Sequence, residues 1–75
     1  MEKMLKNLME EVEKNNLYEG NIEMYRIKTN NSWFDLEINQ SEKIVRFHEI
    51  NRKRIRLDEV YNLITKLSNL GYLIR

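Results

Sequence analysis

Between Ile22 and Ile50 the apolar residues recur at every second position, while before and after that stretch they recur at every third or fourth. A chain whose period changes from 3.6 to 2 and back must place helices at its two ends and strands between them. The first stripe is Met1, Met4, Leu5, Leu8, Met9 and Val12. Glu2, Lys3, Lys6, Glu10, Glu13 and Lys14 lie on the opposite side, which predicts an amphipathic helix running to Asn15-Asn16. Its i,i+4 charge pairs, Glu2–Lys6, Lys6–Glu10 and Glu10–Lys14, add about 0.2–0.5 kcal/mol each.

Three strands are predicted next. Ile22–Thr29 is rich in β-formers, and both Ile22/Met24 and Tyr25/Ile27 are candidates for its inner face. Trp33–Ile38 alternates cleanly, with Phe34, Leu36 and Ile38 on one side and Trp33, Asp35 and Glu37 on the other. Lys43–Ile50 places Val45 and Phe47 inward and Ile44, Arg46 and His48 outward. The connections Asn30-Asn31-Ser32 and Asn39–Glu42 are short and polar, so the strands form an antiparallel meander. A basic connection, Asn51–Arg56, leads to a second helix with Asp58 as its expected N-cap. Val60, Leu63, Ile64, Leu67 and Leu70 form that helix's stripe, Gly71 stops it, and Tyr72-Leu73-Ile74 follow as an apolar tail. The expected fold class is therefore a single α+β domain over residues 1–75: a two-layer α-β-β-β-α arrangement with both helices packed on one face of a three-stranded antiparallel meander.

Composition narrows the chemistry. At 75 residues the core is thin, and the absence of cysteine removes disulfides and thiolate metal sites. One histidine and two isolated glycines, Gly20 and Gly71, support neither a His-rich metal cage, nor a Ser–His–Asp set, nor a phosphate loop. No cofactor, no metal and no catalytic residue is predicted, and the chain is not expected to be an enzyme. The formal charge is +1, divided into −3 over residues 1–25 and +4 over residues 26–75. No window approaches a membrane span, and Met1–Asn16 lacks the apolar core of a signal peptide, so the expected compartment is the cytoplasm. Ten asparagines, eight isoleucines and seven lysines, with no proline or alanine, are the codon signature of an AT-rich genome, such as that of a low-GC bacterium or its phage.

Two surfaces remain as candidate sites. The outer sheet face carries Trp33, Ile44, Arg46 and His48, residue types that favour a partner-binding surface. The run Asn51-Arg52-Lys53-Arg54-Ile55-Arg56 puts Arg52, Lys53, Arg54 and Arg56 in one loop, where they could contact phosphates beside Trp33 or His48 as stacking surfaces. The α-β-β-β-α order is similar to that of double-stranded-RNA-binding domains. The likeness stops at topology, because that family's Gly-Pro-x-His loop is Asn30-Asn31-Ser32 here and its lysine-opened last helix begins Asp58-Glu59. The function expected from the sequence is a small non-enzymatic regulator or inhibitor, of the kind phages and mobile elements encode, that occupies a protein partner's surface. The alternative is a nucleic-acid-binding accessory protein using the 51–56 run. A homodimer is compatible with either.

Overall fold

In a computed structural model the described residues, 1–17, 20–51 and 53–75, build two helices and one five-stranded sheet. The elements in chain order are α1 (Glu2–Leu8), β1 (Glu11–Lys14), β2 (Ile22–Lys28), β3 (Trp33–Asn39), β4 (Ile44–Glu49), α2 (Leu57–Asn69) and β5 (Leu73–Ile74). Their order across the sheet is β1-β2-β3-β4-β5, antiparallel except for the last pair. The α+β class and the helices on one face are as the periods predict. The meander gains one short strand at each edge.

The first helix is shorter than its stripe. It ends at Leu8, and Glu11–Lys14 pairs with β2 instead, so only the Glu2–Lys6 ion pair forms, at 3.1 Å. Val12 satisfies both periods at once: it closes a helical stripe, and in Glu-Val-Glu it is also the inward residue of a strand. Opposite Ile27 in the sheet, it covers β2 on the side that β3 leaves open. That tertiary demand outweighs continuing the helix over the six residues from Met9 to Lys14.

The register resolves the facing of β2. Tyr25 and Ile27 point inward and are fully buried, whereas Ile22, Met24, Arg26 and Lys28 point outward. Together with Phe34, Leu36, Ile38 and Val45 they meet Leu5 of α1 and Val60, Leu63 and Leu67 of α2 in one core. Phe47 completes this layer against Phe34, the ring centres 5.3 Å apart.

Helix α2 begins two residues earlier than an N-cap at Asp58 predicts. Arg56 occupies the N-cap position with extended backbone and no side-chain cap, and Asp58 sits in the first turn with Glu59. Both acids favour the positive end of the helix. At the other end Gly71 adopts φ +92°, its N–H donates to Ser68 and the N–H of Tyr72 donates to Leu67, which is a Schellman stop. The stop turns the apolar tail back. Tyr72 becomes buried, and Leu73–Ile74 runs parallel to the start of β4.

Candidate functional site: the open sheet face

Both helices lie on the inner face, so among the described residues no helix covers the outer face of the sheet, whose side chains can be read row by row from the register. At one end Glu11, Lys28 and Trp33 are neighbours across β1, β2 and β3. The next row is Glu13, Arg26, Asp35 and His48, followed by Met24, Glu37 and Arg46. The far row is Ile22, Asn39, Ile44 and Leu73.

The middle of this face is matched in charge strand by strand: acids on β1, bases on β2, acids on β3, bases on β4. Arg26 grips Asp35 with two bonds, Nε to Oδ1 at 3.0 Å and a terminal nitrogen to Oδ2 at 3.3 Å. The Asp35 carboxylate, by this bond and its charge, raises the Arg26 guanidinium further above its ordinary range. Glu37 takes both Arg46, at 3.4 Å, and His48, at 2.9 Å. Cross-strand pairs of this kind contribute about 0.2–1 kcal/mol each and oppose a one-residue slip, which would turn these charges onto the core face.

All four predicted surface residues, Trp33, Ile44, Arg46 and His48, lie on the open face. They do not form one patch. Arg46 and His48 are joined through Glu37 in the middle, while Trp33 opens β3 and Ile44 pairs with Asn39 at its other end, so they stand at opposite ends of the face, about 20 Å apart for a rise of ~3.3 Å per residue. The sequence reading missed the neighbours of each end. Ile44 is flanked by Leu73, which is 53% exposed, and the row continues to Ile22. The polar member, Asn39, is engaged by the following turn, its Oδ1 accepting from Ser41 Oγ and the Glu42 N–H.

At the Trp33 end a concavity of about 840 Å³ opens, lined by Lys6 and Glu10 near the end of α1, by Glu11 and Arg26, and by the Asn30-Asn31 turn and Lys53. The Arg26 guanidinium lies 5.2 Å from the centre of the Trp33 ring, within cation–π range. The turn itself is fixed from below. Thr29 Oγ1 donates to Glu59 Oε2 at 2.7 Å and accepts from the Ser32 N–H at 3.0 Å, while Asn31 Nδ2 donates to Glu59 Oε1 at 2.6 Å.

The predicted basic run divides as well. Lys53 lines the concavity with Trp33, Arg54 is exposed, and Arg56 pairs with Asp58 at 3.4 Å. Arg52 lies outside the described residues. His48, the other predicted stacking surface, is instead held at Glu37. Among the described residues no group of three or more His, Asp or Glu side chains could hold a metal ion, and no helix is long and apolar enough to cross a membrane. No protein-family model, curated protein or solved structure matches the chain.

Proposed function

We propose that the protein is a non-enzymatic binding module, a regulator or inhibitor that acts by occupying the surface of a protein partner with the apolar end of its open sheet face. The observation that supports this reading is the row Ile22–Ile44–Leu73, which sits with Met24 beside the paired charges Arg26–Asp35 and Glu37–Arg46 and away from Lys28, unpaired among the described residues. A docking surface gains most where apolar side chains leave water and where no unpaired charge must be stripped of it. Across the whole face the carboxylates Glu11, Glu13, Asp35 and Glu37 outnumber the permanent cations Arg26, Lys28 and Arg46, which disfavours a phosphate backbone lying across it.

The test is affinity capture from nuclease-treated lysate with the wild-type chain, Leu73→Asp and Ile44→Asp. A protein retained by the wild type and lost by both variants, with circular dichroism unchanged, is the expected result. Retention by all three would place the contact elsewhere. Light scattering on the same samples asks whether the partner is a second copy: a mass of twice 9.2 kDa that halves in Leu73→Asp assigns the row to self-association.

One observation favours a second reading, nucleic-acid binding through the 51–56 run. Lys53 and Arg54 are exposed and have no ion-pair partner among the described residues, and Lys53 shares its concavity with Trp33. Recovery of nucleic acid alone in an untreated capture would support that reading over the first.

A further inference from the structure

We propose that the concavity at the Trp33 end of the sheet is a binding site for a nucleoside phosphate, with the base stacked on the Trp33 indole and the phosphate held by Lys28 and Lys53. This goes beyond protein docking and uses the opposite end of the face. Three observations converge on it.

The first is the ring. Trp33 is 37% exposed, and Arg26, itself anchored to Asp35 at 3.0 Å, holds its guanidinium 5.2 Å from the ring centre. The indole is thus backed by a fixed planar cation, and an arriving base would complete a stack of guanidinium, indole and base. The second is charge. Lys28, the register neighbour of Trp33, and Lys53 both line the concavity and have no ion-pair partner among the described residues. Unpaired cations beside an aromatic face are the two halves that a base and its phosphate require.

The third is the presence of carboxylates. Glu11 lies beside Lys28 in the register and also lines the concavity. A bare polyanion would be repelled there, but a base carrying an exocyclic amino group donates a hydrogen bond to a carboxylate. The mixed lining therefore selects a base-plus-phosphate over inorganic phosphate alone. Such a ligand exists free or within a single strand, and the chemistry is shared.

Trp33 is the sole tryptophan, so its emission reports the site directly. Adenosine 5′-monophosphate and a six-nucleotide oligoadenylate are titrated into the wild-type protein, with adenosine and ribose 5-phosphate as probes lacking one half each. Saturable quenching by a complete probe is expected, with both half-probes weaker. Lys28→Gln combined with Lys53→Gln should weaken binding about tenfold or more with circular dichroism unchanged, since both side chains are exposed. On the wild type alone, raising salt from about 50 to 200 mM should weaken binding in step with the phosphate contacts made. Equal affinity for the two complete probes identifies a free nucleotide as the source; a hexanucleotide more than about sixfold tighter than the monophosphate identifies a strand. No saturable quenching by either, or quenching indifferent to salt and to both lysines, overturns the proposal. Leu73→Asp should leave the quenching intact, so this site and the docking row stand or fall separately.

Discussion

Glu59 and Tyr25 show how single side chains hold this small molecule together. Glu59 is half-buried in the first turn of α2 and accepts from Thr29 and Asn31, thereby tying the β2–β3 turn, which forms one wall of the Trp33 concavity, to a helix 30 residues away in sequence. Hydrogen bonds to a charged group contribute about 1.5–3 kcal/mol. Glu59→Ala is therefore expected to lower stability by about 2 kcal/mol in chemical denaturation, and Glu59→Gln, which can keep one acceptor, by less. Tyr25 is fully buried and donates its hydroxyl to Glu23 at 3.0 Å; burial first, and then that carboxylate, push its phenol well above the ordinary value near 10. The unfolded chain ionises its tyrosine from about pH 10 while the folded one stays protonated, so stability should fall with rising pH there by up to about 1.4 kcal/mol per unit. In Tyr25→Phe that part of the slope should vanish, at the cost of some stability at neutral pH from the lost hydrogen bond to Glu23, which keeps Lys14 as its partner; urea melts between pH 8 and 11 check both.

The strands and helices with long, unambiguous periods were legible from the residues, and the short edge elements were not. Trp33–Asn39 alternates over a full strand, and the register places Phe34, Leu36 and Ile38 inward as that alternation requires. For Glu11–Lys14 the residues fit helix and strand equally, because Val12 lies on both periods. What decides between them is the uncovered flank of Ile27, a contact 15 residues away that no local pattern contains. Val12→Lys should therefore release β1 and expose Met9 and Ile27, while amide exchange in β3 and β4 stays slow. Rapid exchange throughout would mean that the edge strand is part of the cooperative core. The end of α2 was legible for a simpler reason: Gly71 has φ +92° and open space around its α-carbon, so any side chain there meets only conformational strain. Gly71→Ala is expected to cost about 1–2 kcal/mol, and Gly71→Asn less, since asparagine tolerates the left-handed region.

For the whole molecule, the two candidate ends emerge from the assembly. Trp33, Ile44, Arg46 and His48 could be assigned to one face by alternation, but not to different ends of it, since that separation depends on the strand pairing. Lys6, Glu10 and Lys53 meet at the Trp33 concavity only after α1, the sheet and the loop before α2 are in place. Likewise Leu73 reaches Ile44 through the Schellman stop and the parallel β4–β5 pair. The competing apolar surface is the outer side of α2, where Leu57 and Tyr61 are 67% and 63% exposed one turn apart. Photocrosslinking in the native host extract distinguishes a protein partner docked on the sheet from one docked on this helix. A benzophenone side chain carried at position 73 should give a discrete nuclease-resistant protein adduct, and the same group at position 61 should give none. An adduct from position 61 with none from position 73 would contradict docking on the sheet.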